Sequence, residues 1–142
     1  MRTMSVSMLV NIDVDDLARA EAFYVEAFGL TAARRFGDDG VELLGAAAPI
    51  YLLRKAAGSA AGDASAQTRD YRRHWTPVHM DFVVVDLDVA LARALAAGAK
   101  LESAPRAANW GRLATLADPF GHGFCLIEFR NRGYDEIATP AA

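Results

Sequence analysis

The sequence contains an internal repeat with a period of 70 residues. Each half of the chain has the pattern of a strand, a helix and three further strands. Superposing the candidate helix caps Asp16 and Asp86 aligns Asn11 with Asp81. A repeat of this length describes one supersecondary unit that occurs twice, so it constrains the fold more than any short motif does. The sequence therefore predicts an α+β fold of two tandem βαβββ modules.

The first half carries start and stop signals for each element. A half-buried strand is predicted over 6–13, because apolar and polar residues alternate there. Asp15 or Asp16 offers an N-cap for a helix with an apolar stripe, and Gly29 suits the C-terminal end of that helix. Three short strands joined by tight turns are predicted next, at 30–36, 41–44 and 50–53.

The second half repeats this order. A strand over 79–85 leads into a helix between Asp86 and Gly98. A type I turn is predicted at Asp118-Pro119-Phe120-Gly121, because proline presets φ and the aspartate can bond the turn backbone. The remaining strands are predicted near 101–104, 112–117 and 124–129.

These elements divide one predicted domain, which spans 1–142, into four parts. Residues 56–72 are mostly small and are expected to form a flexible connector. The other parts are a first module at 1–55, a second module at 73–132, and a tail at 133–142 that begins with a short helical cap.

Composition excludes several classes of function. The net charge is −3 and the basic residues are scattered apart from a cluster at 69–73, so no nucleic-acid partner is expected. No stretch approaches about 18 uninterrupted apolar residues, so no membrane partner is expected either, and a cytoplasmic protein is predicted. Cys125 is the only cysteine, which excludes an intrachain disulfide and a thiolate metal site and predicts a small core residue.

Each predicted module would place its helix on one face of a small sheet and leave the other face bare. Two such modules can curl around a shared cavity, and polar residues on the helix-free faces would line it. A protein of this kind is expected to bind a small-molecule ligand.

Particular motifs carry a resemblance to a known family. The stretch 16–24 followed by Ala-Phe-Gly-Leu at 27–30, together with Asp-Pro-Phe-Gly-His at 118–122 before a strand ending in Leu-Ile-Glu, resembles the vicinal oxygen chelate superfamily. This superfamily contains glyoxalase I, bleomycin resistance proteins and extradiol dioxygenases. The resemblance implies paired βαβββ modules, an incomplete barrel around the ligand, and a homodimer.

The resemblance also implies where a metal would bind. Metal-dependent members take ligands from the start of the first strand and the end of the last strand of each module. These positions are His79 and Glu128 in the second module, but Leu9 and Arg54 in the first, and neither of the latter can bind a cation. Two protein ligands are too few for an ordinary catalytic site, so no metal is preferred. If one is bound, a divalent zinc, nickel, manganese or iron ion at His79 and Glu128 is expected. A shift of the alignment by one or two residues at the strand ends would let Asn11, Asp13, Asp81 or His122 contribute a further ligand atom.

Several residues are candidates for the ligand site. Arg54 and Glu128 occupy equivalent positions in the two modules. An ion pair between them would offset the cost of burying a carboxylate at the end of an apolar strand. Glu128 is also the candidate catalytic group, as a carboxylate that moves a proton. The candidate ligand-binding residues are His79, Arg54, Asn11, Asp81, Trp75, Trp110 and Phe120.

The residues leave three functions open. The first is a metal-free protein that encloses a small, partly apolar molecule, as bleomycin resistance proteins do, and the incomplete ligand set favours it. The second is a metal-dependent lyase, isomerase or dioxygenase of the glyoxalase kind. The third is a stress or regulatory module with a vestigial cavity. The sequence decides neither whether the protein is an enzyme nor which molecule it binds.

Overall fold

A computed structural model describes residues 5–140, so the ends of the predicted first module and tail, 1–4 and 141–142, lie outside the described residues. The elements are β1 (Val10–Val14), α1 (Leu17–Phe28), β2 (Thr31–Phe36), β3 (Gly40–Leu44), β4 (Ile50–Arg54), β5 (Met80–Val83), α2 (Leu87–Ala97), β6 (Lys100–Ala108), β7 (Gly111–Ala117), β8 (Gly123–Phe129) and a short 3-10 helix (Gly133–Glu136). This order is βαβββ twice, followed by the predicted cap.

Both helices begin and end at residues that the sequence indicates. The Asp16 side chain accepts a hydrogen bond from the Arg19 N–H, and Asp86 does the same for Val89. Each aspartate thereby satisfies one of the backbone donors that the first helical turn leaves free. Gly29 adopts a left-handed conformation with φ of 66°, which ends α1. Neither helix in the described chain has the length and apolar composition needed to cross a membrane.

The eight strands form two open four-stranded sheets, with orders β1-β4-β3-β2 and β5-β8-β7-β6. In each sheet the first strand of the module pairs in parallel with the last strand, and the remaining pairs are antiparallel. The prediction of an α+β fold with two tandem βαβββ modules is confirmed.

The described chain divides into two compact units, with the boundary between Asp70 and Tyr71. This boundary lies inside the predicted connector at 56–72. Part of the connector folds back on itself, because the Gly58 N–H donates to the Arg69 carbonyl oxygen at 2.8 Å. The Arg69 guanidinium also donates to Asp13 of β1 at 2.8 Å. The connector therefore carries hydrogen bonds that its small residues do not predict.

Alternation along the strands divides each sheet into a helix-facing side and a helix-free side. In the last strand of each module, Ile50 and Leu52 in the first unit and Phe124 and Leu126 in the second are buried, at 2% exposure or less. Residues two positions further along share their face. Arg54 and Glu128 therefore lie on the helix-facing sides, and their predicted assignment to the helix-free sides is wrong.

The Glu128 carboxylate has its partners inside the second unit. Glu128 is 8% exposed, and its Oε1 accepts a hydrogen bond from the Leu87 N–H at the start of α2, at 2.8 Å. Its Oε2 accepts a hydrogen bond from Arg130 Nε at 2.7 Å. The helix N–H and the Arg130 charge hold the pKa of Glu128 below its usual range. The carboxylate therefore caps a helix, which removes the reason to treat it as a catalytic group or metal ligand.

Arg54 likewise has partners inside the first unit. Its Nη2 donates to Asp39 Oδ1 at 2.7 Å and its Nε donates to the Asp38 carbonyl oxygen at 3.1 Å. The side chain lines an open cavity of about 560 Å³ beside the first turn of α1. The predicted pair of Arg54 with Glu128 is thus not needed to explain either charge.

Replacing Glu128 by Gln tests the capping role. We expect Glu128→Gln to lower the free energy of unfolding at pH 7, because the charged cap of α2 is lost. Since the folded-state pKa of Glu128 is lowered, its stabilising effect is present above the unfolded-state pKa and disappears as pH falls through the folded-state value. The difference between variant and wild type should therefore shrink on acidification below about pH 4. Urea unfolding at several pH values measures this.

Asp63→Asn provides the control, because this exposed carboxylate lies in the connector and far along the chain from α2. A stability difference for Glu128→Gln that persists unchanged at low pH would contradict a charge-based cap.

Candidate ligand-binding site

A row of polar side chains crosses the helix-free side of the second sheet. Asp81, Cys125, Thr115 and Ser103 are successive register partners on β5, β8, β7 and β6. Because register partners in a sheet point to the same side, these side chains lie next to one another. Three of them are small, so the row forms a shallow floor.

At one end of this row, three potential metal ligands converge. One donor atom each from His79, Asp81 and Cys125 lies within 4.8 Å of the other two. His79 Nε2 is 3.4 Å from Asp81 Oδ1, and both side chains are about one-third exposed. Two predicted site residues, His79 and Asp81, are therefore brought together, and the third member of the group is the residue predicted to be simple core.

Cys125 is buried, as the sequence predicts, but it does not lie on the helix-facing side. Its Sγ is 3.7 Å from Thr115 Oγ1, and the residue is 5% exposed. Burial raises the pKa of the Cys125 thiol, so the thiol form is favoured in the absence of a bound cation. A single cysteine cannot provide a thiolate cage, yet it can be one ligand in a mixed set.

Trp75 lies over the same side of the sheet. Its indole ring is 46% exposed and stacks on the His79 ring, with centroids 4.8 Å apart and planes inclined by 39°. A Cβ atom at Gly123 would come within 2.1 Å of the Trp75 ring, so only glycine permits this approach. The Arg73 guanidinium lies 5.5 Å from the centre of the indole and forms an ion pair with Glu102. The indole is therefore held in place with one part open to solvent.

The segment 71–75, which carries Trp75, is fixed to the predicted turn before β8. The His74 N–H donates to the Gly121 carbonyl oxygen at 3.0 Å, and His74 Nε2 lies 3.2 Å from His122 Nδ1. The turn is itself held by the buried Asp118 carboxylate, whose Oδ1 accepts hydrogen bonds from the backbone N–H groups of Phe120 and His122. Asp118 thus positions Trp75 indirectly, through the turn.

Two predicted pocket residues have other places. Phe120 is only 1% exposed and is part of the core, so its assignment to a pocket wall is wrong. Trp110 packs against Tyr134 of the 3-10 helix and Phe129, with ring centroids 5.4 and 6.4 Å away. Trp110 therefore packs against the tail, whereas the ring that stacks on His79 is that of Trp75.

The helix-free side of the first sheet carries an equivalent row of different chemistry. Asn11, Tyr51 and Glu42 are successive register partners on β1, β4 and β3, and Arg34 of β2 completes the row. Arg34 donates to Glu42 Oε1 from Nε at 3.0 Å and to Oε2 from Nη2 at 2.7 Å. The Tyr51 hydroxyl donates to Glu42 Oε2 at 2.5 Å. Asn11 is therefore placed beside a connected cluster of hydrogen bonds.

The ion pair determines the charge state of this cluster. Hydrogen bonds from Arg34 and Tyr51 lower the pKa of Glu42 to about 2, although burial opposes this. The same carboxylate raises the pKa of Tyr51, because it accepts a hydrogen bond from the phenolic hydroxyl. At neutral pH the cluster holds one positive and one negative charge and a neutral phenol.

Sequence reasoning missed Cys125, Tyr51 and the Arg34–Glu42 pair. The last predicted strands of the two modules align Ile50 with Phe124, and the same alignment pairs Tyr51 with Cys125. Both residues alternate with buried apolar ones, so the alternation could have assigned them to the helix-free sides. The Arg34–Glu42 contact needs the β2–β3 register, which contains a bulge between Ala32 and Arg35. No spacing rule in the sequence gives that register.

Comparison with known proteins agrees with this architecture. Residues 9–127 match the glyoxalase-like domain family. Mb0911c, an uncharacterized protein of Mycobacterium bovis, is 37% identical over 131 residues, covering 87% of this chain and 84% of that protein. The anthracycline biosynthesis protein DnrV of Streptomyces peucetius is 30% identical over 133 residues. That match covers 94% of this chain but 44% of DnrV, so the chain spans less than half of that relative's length.

Solved structures share the fold at lower identity. FosX, a fosfomycin resistance protein from Listeria monocytogenes, has a TM-score of 0.70 at 19% identity, covering 96% of this chain and all of that chain. A FosX variant has been solved in complex with Mn(II) and 1S,2S-dihydroxypropylphosphonic acid. TnmS3, an antibiotic binding protein from Streptomyces sp. CB03234, has a TM-score of 0.63 at 22% identity, covering 92% of this chain and 100% of that chain.

The repeated βαβββ order, the two open sheets and the family match over most of the chain lead to one conclusion. The chain belongs to the glyoxalase-like domain family.

Proposed function

We propose that this protein binds a small, partly apolar molecule with a planar aromatic part on the helix-free side of the second sheet. The observation that carries the proposal is Trp75, a large ring that is half exposed yet fixed by Gly123 below it and His79 beside it. An exposed indole that is already ordered loses little entropy on binding and offers a flat apolar surface.

The surrounding polar groups suit a ligand that carries oxygen substituents. His79 and Asp81 are about one-third exposed beside the ring, so they can donate and accept hydrogen bonds at the edge of a bound molecule. The small residues of the floor leave room for a flat ligand above them. A site with an aromatic wall and few polar groups matches the general character of small-molecule pockets.

The names of relatives support this class of ligand. DnrV is named for anthracycline biosynthesis, and TnmS3 is described as an antibiotic binding protein. Anthracyclines contain a planar fused-ring system with oxygen substituents, which is the shape that a fixed indole can stack against. We retain a homodimer in the cytoplasm as part of the proposal.

A second candidate function uses a metal at the same place, and the convergence of His79, Asp81 and Cys125 favours it. Imidazole, carboxylate and thiolate are all ligands of zinc, and three protein ligands with an open fourth position are typical of catalytic zinc sites. A cation there would polarise adjacent oxygens of a bound molecule. The donor set thus fits a borderline cation such as zinc, and His79, Asp81 and Cys125 would replace the predicted pair of His79 and Glu128.

Gly123→Ala tests whether the indole position depends on the bare backbone below it. We expect the added methyl group to displace the Trp75 ring without unfolding the sheet, because the three atoms nearest to the new Cβ belong to the Trp75 and Arg73 side chains and not to the backbone. In a Trp110→Phe background, Trp75 is the only tryptophan, so the fluorescence emission reports on this ring alone. The emission should shift to longer wavelength in Gly123→Ala, because the displaced ring is more exposed to water.

Gly62→Ala is the matched control, since a Cβ atom there meets only ordinary van der Waals contact at 3.8 Å. Unchanged Trp75 emission in Gly123→Ala would contradict the seating of the ring on this glycine.

Ligand binding itself is tested with an anthracycline as the probe, by fluorescence titration. We expect saturable binding to the wild type and about threefold to tenfold weaker binding to Trp75→Ala, the range that loss of one aromatic contact gives. Trp110→Ala is the control, because that ring packs on the tail. No saturable binding, or equal loss in both variants, would refute the proposed site.

Metal analysis separates the two candidate functions. For the metal-free function, protein purified without added ions should contain no stoichiometric zinc, nickel, manganese or iron by mass spectrometry. Stoichiometric zinc that is lost in both His79→Ala and Cys125→Ser, but kept in Glu128→Gln, would instead establish the second candidate. Glu128→Gln serves as the control because the Glu128 carboxylate bonds the start of α2 and is not part of the group of His79, Asp81 and Cys125.

A further inference from the structure

We infer that the helix-free side of the first sheet contains a recognition site for an aromatic carboxylate, with Arg34 as the group that binds the carboxylate. This site lies in the first unit and shares no residue with the proposed site around Trp75. Its ligand class follows from the fixed guanidinium, the charge balance of the cluster and the apolar residues around it.

The Arg34 guanidinium is held in one orientation while its outer edge stays accessible. Three of its N–H groups are used by Glu42 and by the Tyr51 hydroxyl, through Nε and Nη2 at 2.7 to 3.0 Å. Within residues 5–140, the two N–H groups of Nη1 have no acceptor, and the side chain is 68% exposed. An arginine that is both fixed and open can bind an anion without first losing side-chain freedom.

The fold does not require this ion pair. Glu42 is 5% exposed in the middle of β3, where a buried carboxylate is costly without partners. In the second sheet Thr115 holds the corresponding place, as the register partner of Cys125, just as Glu42 is the partner of Tyr51. The same module therefore forms with a small neutral residue at this position. Glu42 and Tyr51 are best explained as positioning residues that orient Arg34.

Two exposed apolar side chains lie on the same side of the sheet as the Arg34–Glu42 pair. Phe36 is 48% exposed and Leu44 is 40% exposed, and the Phe36 ring lies 6.1 Å from the Tyr51 ring. Exposed apolar residues beside a fixed polar group are typical of a ligand surface. They provide contacts for a ring attached to the carboxylate.

The charge balance limits how an anion can be bound. Arg34 and Glu42 carry opposite charges, so the cluster has no net positive charge and attracts any anion only weakly at long range. Binding must then come from hydrogen bonds to Nη1 and from apolar contact. A monoanionic carboxylate on an aromatic ring satisfies both, whereas inorganic phosphate satisfies only the first.

The test is a titration of the full-length, ¹⁵N-labelled protein with benzoate, followed by NMR at pH 7. Benzamide serves as the neutral analogue of the same shape, and inorganic phosphate as the anion without a ring. We expect benzoate to shift the Arg34 Nε–H and Tyr51 signals in a saturable way, with a dissociation constant at least about tenfold lower than for either other probe.

The decisive variant is Arg34→Lys, which keeps a charge for Glu42 but removes the second terminal nitrogen of the guanidinium. Its benzoate affinity should fall by about tenfold or more, whereas Arg35→Lys should bind as the wild type does. Arg35 is the matched control because it points to the other side of β2 and pairs with Glu21. Phe36→Ala, which leaves the hydrogen-bonded cluster intact, should also weaken benzoate and leave phosphate unchanged.

Four outcomes would overturn the inference. Three of them are equal binding of benzoate and phosphate, wild-type benzoate affinity in Arg34→Lys, and equal losses in Arg34→Lys and Arg35→Lys. A fourth is a dimer in sedimentation that Phe36→Ala dissociates, since the surface would then be occupied by a second copy. None of these results depends on anthracycline binding at Trp75, so the two proposals fail separately.

Discussion

Alternation of side chains along a strand is the constraint on which the rest of this structure depends. A residue on β4 or β8 faces either the helix of its own module or the helix-free side, and a shift of one position reverses the assignment. Glu128 and Cys125 are three positions apart on one strand and therefore have opposite surroundings. Glu128 meets the backbone of α2, whereas Cys125 meets His79 and Asp81. The chemistry available to each follows from this placement.

The same constraint explains how far the sequence could be interpreted. The repeat, the caps Asp16 and Asp86 and the glycine stops are local signals, and they predict the order of elements correctly because local hydrogen bonds determine them. The Asp118 turn is predicted for the same reason. The site is only partly predictable. The sequence predicts His79, Asp81 and Trp75 as site residues, but the partner of Glu128 is an amide group on another element, and no side-chain pattern indicates a backbone donor.

The two helix-free sides show how one architecture can support different chemistry. In the second sheet the row contains small or weakly polar groups, apart from Asp81 at the β5 edge. In the first sheet the row contains a buried ion pair and a phenol at the same positions. Since four residues define each row, substitutions at very few positions can replace a group of possible metal ligands by a fixed guanidinium. The backbone and the helix-facing core need not change.

The parallel pairing of the first and last strands of each module has a consequence for how the chain acquires its structure. β5 is bonded only to β8 within its sheet, and 39 residues lie between the end of β5 and the start of β8. During synthesis β5 can therefore form its sheet pairing only after β8 has been made, and the Leu87 N–H at the start of α2 can bond Glu128 only then. Pairing across such a separation is slow because a long loop must close first. The contact from Glu128 to Leu87, formed near the end of that strand, would then be among the last to lock the second unit together.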